Sequence, residues 1–210
     1  MSSMTFTQRN APGSPVRTDP AEAERIDERR TIAACRDGDA RAFRVLVERH
    51  HRGLYALAHR MVGDRGDADD LVQESFAKAH RSLDDYDDTY RFSTWIYRIT
   101  LNVCRDFLKS PRRRERPGAI EAALDTAIEA RGEPADGADV ELMRAATIAR
   151  VRAAVAQLSD AYREVIVLKD LQDLSYEEIH AITGDPVTAL KIRAVRARLR
   201  LRALLEGSDP

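Results

Sequence analysis

Apolar residues recur every three or four positions along most of the chain, and no segment alternates with period two, so the pattern predicts helices and no strands. The periodic pattern begins near Ala21, after the polar, proline-bearing stretch NAPGSPVRTDP, which reads as a disordered tail over 1–20. Behind the turn RDGDA, with Asp39 expected as N-cap, Phe43, Leu46, Val47, Leu54, Leu57, Ala58 and Met61 fall on one helical face. GDRGD breaks that helix. Asp67 is then expected to cap a helix carrying Ala68, Val72, Phe76, Ala79 and Leu83 on its apolar side. The polar loop DDYDDTYR leads into FSTWIYRITLNVCRDFLKSPRRR.

That last segment has three lines of residues rather than two. Phe92, Trp95 or Ile96, Ile99, Val103 and Phe107 form one apolar stripe, and Tyr97, Leu101, Cys104 and Leu108 form a second beside it. The third line is Arg98, Asn102, Arg105, Lys109 and Arg112, a basic face on a helix with two buried ones. Pro111 is expected to end or kink the helix before the arginines. Helical periodicity returns near Leu142 and runs to about Leu205. In that second unit Ser159 is an expected cap, Ser175 and Glu178 have capping-box spacing, and Gly184-Asp185-Pro186 forms a turn. In the turn Gly184 supplies a left-handed or tight conformation, Asp185 the N-cap and Pro186 the first helical position. The final helix turns Leu190, Ala194, Ala197, Leu201 and Leu204 inward and carries Lys191, Arg193, Arg196, Arg198, Arg200 and Arg202.

Charge changes this picture more than composition does. The net charge of −1 conceals strong segregation: Glu121, Asp125, Glu129, Glu133, Asp136, Asp139 and Glu141 face only Arg131 between 119 and 141. The expected organisation is therefore all-α. A module over 21–116 is joined by an acidic flexible linker (117–141) to a second module over 142–206, and a short tail follows at 207–210. A short helix, a tight turn and a basic helix make a helix-turn-helix, whose second helix can enter a major groove. An ordinary helical hairpin with a solvated basic face is the plainer alternative.

GDRGDADDLVQESFAKAHRSLDDYDDTYRFSTWIYRITLNVCRDFLKSPRRR resembles region 2 of the bacterial extracytoplasmic-function (ECF) sigma factors, and LSYEEIHAITGDPVTALKIRAVRARLR resembles their region 4. The resemblance spans roughly Arg30 to Leu205. It implies a subunit that binds core RNA polymerase, recognises the −35 and −10 promoter elements and promotes melting. It also implies contact of region 2 with the clamp coiled coil of the largest polymerase subunit, through Asp67, Asp70, Leu71, Gln73 and Glu74. The −10 element would be held by Tyr86, Asp87, Thr89, Tyr90, Arg91, Arg98, Asn102, Arg105, Lys109, Arg112, Arg113 and Arg114. An extruded base needs a shaped pocket, and the unpaired strand needs cations along its phosphates. The −35 element would be held by Ser175, Tyr176, Thr188, Ala189, Lys191, Ile192, Arg193 and Arg196, with region 4 also meeting the flap of the second-largest subunit. An anti-sigma factor is a further implied partner.

One departure stands out. Family members usually open the recognition helix with Gly-Thr-Val-Lys-Ser-Arg, whereas this chain has Thr188-Ala189-Leu190-Lys191-Ile192-Arg193. Lys191 and Arg193 are kept, and Ile192, Val195 and Leu199 form an apolar line distinct from the core stripe. Ile192 is expected to meet a thymine methyl. Packing within the module or cover by a partner are the alternatives. Other functions fit less well: a stand-alone helix-turn-helix regulator would not need the first module, and a sigma-like decoy would bind regulators only. No enzyme is expected, and no cofactor or metal. His50, His51, His59, His80 and His180 show no metal or triad spacing, and His50 and His51 read as solvated. Cys35 and Cys104 read as core thiols. No apolar run of ~18 residues or signal-peptide core is seen, so a cytoplasmic protein without membrane insertion is expected.

Overall fold

The computed structural model describes residues 20–111 and 138–207, and its described elements are helical. The helices are α1 (Pro20–Arg36), α2 (Ala40–Val62), α3 (Arg65–Arg81), α4 (Phe92–Lys109), α5 (Ala138–Ala156), α6 (Asp160–Ile166), α7 (Tyr176–Thr183) and α8 (Val187–Glu206). A 3-10 turn, Leu83–Asp85, follows α3, and a π-helical turn, Val167–Leu171, follows α6. The tail over 1–20 therefore lies outside the described residues except for Pro20. So do most of the linker and Arg112, Arg113 and Arg114.

Local chemistry explains most of the boundaries. Asp39 accepts from the Arg41 N–H and starts α2, which Gly63 ends in a left-handed conformation at φ 86°. Ser175 and Glu178 form the complete capping box of α7, and Gly184 ends that helix at φ 80°. Ser110, just before Pro111, turns extended and closes α4. Three expectations need correcting. The cap of α3 is Asp64, whose carboxylate accepts from the Asp67 N–H, so the helix starts earlier than Asp67. The cap position of α8 is Pro186, because the Asp185 carboxylate is engaged by Arg193 instead. Helix α5 starts at Ala138, inside the expected linker.

Helices α2, α3 and α4 pack around Leu46, Leu54, Leu57, Val72, Phe92, Ile96 and Leu101, all fully buried, and α1 lies along α2. In the second module α6, α7 and α8 enclose Val165, Ile166, Leu168, Ile179, Leu190 and Ala194. These two cores join into one cluster, because α5, α6, α7 and the π turn pack onto α2 and α4. Arg163 sits in the seam. Its guanidinium donates to the carbonyls of Val155 (3.3 Å) and Ala156 (2.6 Å) at the end of α5, of Leu158 (3.0 Å) in the turn after it, and of Met61 (3.0 Å) at the end of α2. One buried cation thus satisfies carbonyls that a helix terminus leaves without partners. Elsewhere on the seam, the Arg60 guanidinium donates to the Leu171 carbonyl, and the Gln172 amide, turned so that its oxygen faces the donors, accepts from the Leu57 N–H and from Arg60.

Arg163→Met should destabilise the protein by about 3 kcal/mol, since it strands several buried carbonyls at once. Urea denaturation measures this; a midpoint equal to the parent's would mean that water replaces the guanidinium without loss.

Candidate polymerase and nucleic-acid interfaces

Four of the five residues expected at the polymerase surface converge on a single groove. Asp67, Asp70, Leu71 and Glu74 of α3 line it with Val103, Asp106, Phe107 and Ser110 of α4, around a volume of about 250 Å³. Its rim is acidic and its floor apolar. Gln73 is exposed on α3 but does not line the groove. Glu74 is held by Lys78 at 2.9 Å. Sequence reasoning missed the α4 half, because Val103 and Phe107 belong to an ordinary apolar stripe and only packing shows that they border an open groove.

On its next face α4 carries the basic line. Arg98, Asn102 and Lys109 are exposed. At 100° per residue they lie roughly 140° around the helix from Val103 and Phe107, so one helix serves two faces of opposite charge. Arg105 is only half exposed: its guanidinium grips both carboxylate oxygens of Glu164, at 2.8 and 2.6 Å, and donates to the Asn102 side-chain oxygen at 3.3 Å.

The loop before α4 is held from a distance. Arg36 of α1 donates to the carbonyls of Leu83 (3.0 Å), Asp84 (3.4 Å) and Tyr86 (2.7 Å). Glu28, also on α1, accepts from the Phe92 N–H at 2.9 Å and so caps α4 from outside its own loop. Tyr86 is buried among Phe92 and Trp95, with ring centroids 5.8 and 5.2 Å away, and its hydroxyl donates to the Tyr90 carbonyl. That burial pushes the phenol up to about 12, with Glu28 and Asp88 adding to the effect. Tyr86 therefore supports the loop, while Asp87, Thr89, Tyr90 and Arg91 are exposed on it. The hydroxyl and N–H of Thr89 hold the Asp87 carboxyl below its usual range. Trp95 is packed against the core, as its stripe predicts.

His50 departs from its sequence reading. It packs on Phe92 at 5.3 Å instead of facing solvent, and its buried Nε2 has no hydrogen-bond partner among the described residues. Desolvation, then the Arg49 charge, push it down to about 4 against a weaker opposing effect of Glu24. Burial likewise pushes the Cys104 thiol up to about 12. Burial and then Asp39 raise Cys35. The described His, Cys, Asp and Glu residues form no cluster able to hold a metal.

The helix-turn-helix is tied together at its turn. Arg193 reaches back to Asp185 at 2.5 Å, and a ring nitrogen of His180 lies 2.9 Å from the Asp185 carbonyl. Arg193 is thus half-buried and spent on the turn, while Thr188, Lys191, Ile192 and Arg196 are exposed and Ala189 is partly so. Ser175 is likewise committed, to its capping box. The ammonium groups of Lys169 (5.6 Å) and Lys191 (5.8 Å) both lie over the Tyr176 ring. Ile192 is 55%, Val195 55% and Leu199 64% exposed, so this line does not pack within its module. Val195 is not among the expected base-reading residues, although its spacing from Ile192 places it on the same face.

The family model of sigma-70 region 2 matches residues 46–114, and that of sigma-70 region 4 matches residues 148–201. The ECF RNA polymerase sigma-E factors of Salmonella typhimurium and Escherichia coli are each 33% identical over 178 residues, covering 84% of this chain and 93% of theirs. The chain belongs to the ECF sigma factors. The sigma factor SigW of Bacillus subtilis is 34% identical over 182 residues, with 84% of this chain and 96% of SigW covered. Among solved structures, CnrH in complex with the cytosolic domain of CnrY matches with a TM-score of 0.60 and 33% identity, over 87% of this chain and 99% of CnrH. The sigma factor RpoE of Bartonella quintana, in complex with the anti-sigma factor NepR, matches with 0.55 and 25%, over 78% and 96%. This ECF sigma factor accordingly directs core RNA polymerase to promoters, and the match to region 2 disfavours a stand-alone helix-turn-helix regulator. Among the described residues no helix is long and apolar enough to cross a membrane.

Because the folded chain keeps His50 neutral down to about pH 4 and an unfolded chain protonates it below about pH 6.5, its contribution to stability is lost as pH falls through that window. Stability measured by denaturation should be lower at pH 5 than at pH 7, and His50→Gln should reduce the difference. An unchanged difference would mean that other groups carry it.

Proposed function

We propose that α4 is the shared wall of the two region 2 interfaces. The acidic, apolar-floored groove against α3 docks a basic helical element of core polymerase, the clamp coiled coil. The adjoining face, with Arg98, Asn102 and Lys109 and the chain running on to Arg112, Arg113 and Arg114, follows the unpaired −10 strand. The loop residues Asp87, Thr89, Tyr90 and Arg91 border the extruded base. Region 4 reads the −35 element through α8, with Lys191 and Arg196 on phosphates and Ile192 against a thymine methyl, and meets the polymerase flap. Arg193, Ser175 and Tyr86 act by positioning. The protein is a binding subunit of the cytoplasm with no catalytic step of its own, and an anti-sigma factor is its natural regulator.

The observation that carries this reading is the charge division on α4: Asp106 closes an acidic groove on one side, and Arg98, Asn102 and Lys109 stand exposed on the next. Transcription in vitro with core polymerase and a randomised promoter library tests the whole. Enrichment of a paired −35 and −10 signal is expected; templates transcribed without any selected element would count against promoter reading.

Reversing Asp70 and Glu74 together to lysine should weaken binding to core polymerase at least tenfold while leaving the thermal melt within a few degrees, because both are exposed. Co-purification undiminished by the double change would move the docking site elsewhere. Removing Arg112, Arg113 and Arg114 should lower the log–log salt slope of promoter binding by roughly one unit for each phosphate left without its cation. An unaltered slope would place those arginines away from the strand.

Ile192→Ser should relax preference at one or two −35 positions by about 1 kcal/mol, and Lys191→Ala should weaken all sequences alike. A library profile for the serine variant that overlays the parent's would leave Ile192 without a base to read.

A further inference from the structure

Helix α1 precedes the residues that the region 2 model matches, 46–114, yet it supplies the bonds that hold the segment between α3 and α4. In that segment Leu83, Tyr86 and Phe92 are buried, and the residues between them are exposed. Burial fixes where those three side chains sit. The stretch from Asp87 to Arg91 is exposed throughout, and exposed polar backbone moves unless hydrogen bonds tie it. Bonds inside the stretch, such as the Tyr90 N–H to the Asp87 carbonyl at 3.4 Å, are local turns and leave its pose on the module open.

Both ends of the segment are tied to α1. At the start, Arg36 donates to the carbonyls of Leu83, Asp84 and Tyr86, with Nε and Nη2 both reaching Leu83. A planar fork of donors can span several peptide groups in this way, whereas an ammonium is a point charge. At the end, Arg91 stands at the N-cap of α4 but makes no side-chain cap bond. Glu28 takes over that task, accepting from the Phe92 N–H at 2.9 Å, where a carboxylate also meets the positive end of the helix dipole. Between the two ends, the Tyr86 hydroxyl donates to the Tyr90 carbonyl at 2.6 Å and passes the hold from a buried ring to the exposed tip. Two further contacts are of another kind. The pairs Glu24–Arg91 and Arg29–Asp88 are 3.5 Å long and exposed on both sides.

We infer that α1 is a positioning element for −10 recognition: Glu28 and Arg36 set the pose in which Asp87, Thr89, Tyr90 and Arg91 meet the extruded base. This rests on reading that loop as the border of the base. Neither residue needs to touch nucleic acid, because the polar groups of both are spent on the loop backbone. The exposed pairs act differently. Exposed pairs are weak and screened by salt, so Glu24 and Arg29 give up Arg91 and Asp88 when a strand arrives, while Glu28 and Arg36 keep the backbone in place. Preference at the −10 element therefore depends on residues 64 and 47 positions away from the peptide groups they hold.

The test charges core polymerase with the full chain and transcribes templates randomised at both −10 and −35, with thermal melting to establish that each variant is folded. Glu28→Ala is expected to reduce preference at the extruded position about fivefold, with a −35 preference that overlays the parent's. Glu28→Gln keeps an acceptor oxygen for the Phe92 N–H and should keep most of the −10 preference. Arg36→Lys keeps the charge but cannot span three carbonyls; it should fall between the two, and it carries the test if Glu28→Ala folds poorly. Equal loss of preference at −10 and −35 would overturn the inference, since α1 would then act only through stability. So would a folded Glu28→Ala chain with the parent's −10 profile, or a glutamine variant no better than the alanine one. Tyr90→Ala, which leaves the backbone bonds of the loop intact, separates the inference from the reading beneath it. A −10 profile altered by Tyr90→Ala but not by the α1 variants overturns the positioning role alone. A profile altered by neither overturns the loop's role and the positioning role together, and one altered by the α1 variants alone keeps the positioning role and assigns the reading to Asp87, Thr89 or Arg91.

Discussion

Two helix C-termini meet on one guanidinium, and much of the rest follows from that meeting. Arg163 bonds carbonyls from the end of α5, from the turn after it, and from the end of α2. Burying an arginine is expensive unless its donors are met, and here the partners are carbonyls that would otherwise lack donors of their own. The bond to Met61 fixes where the second module sits on the first, and the residue after Arg163 is the one that reaches Arg105. Position in the seam and the hold on Arg105 are therefore set by adjacent residues on one short helix.

The first module solves a different problem, that of putting acidic and basic surfaces side by side without a large change in fold. Helix α4 does so by rotation alone. Its buried stripes fix the helix against α2 and α3, and what remains on either side is an acidic groove and a basic line. Helix α1 completes the arrangement from behind: Arg36 and Glu28 hold the loop and the start of α4, so the exposed loop residues project from a fixed base.

What is legible in the sequence is what neighbours in the chain decide. The apolar spacing of α2, α3 and α4, the cap at Asp39, the capping box at Ser175 and Glu178 and the turn at Gly184 are all short-range, and all stand in the structure as their spacing predicts. The boundaries that differ are also short-range, but each has a rival. Asp64 and Asp67 both offer a cap three residues apart, and Asp185 is drawn to Arg193. Glu28, Arg36, Arg163 and Glu164 give no such clue, because their partners lie 64, 47, 102 and 59 residues away. A lone glutamate or arginine on a helix carries no local sign that it will be buried against so distant a group. The same holds for His50, whose place beside Phe92 depends on the approach of α4 to α2. For the site, residue type and the family resemblance together suggest the faces proposed above. Which members are free and which are occupied needs the packing.

The lock between Arg193 and Asp185 has a bearing on how such proteins diverge. Because the angle of α8 is held by the turn and by Leu190, Ala194 and Ala197 beneath it, the outward positions 188, 192, 195 and 196 carry little responsibility for the fold. On the −35 reading proposed above, they form an interchangeable reading head on a fixed mount. A chain built this way can acquire a new promoter preference by changing side chains that no other described residue leans on, and the isoleucine proposed to read the −35 element stands at one such position.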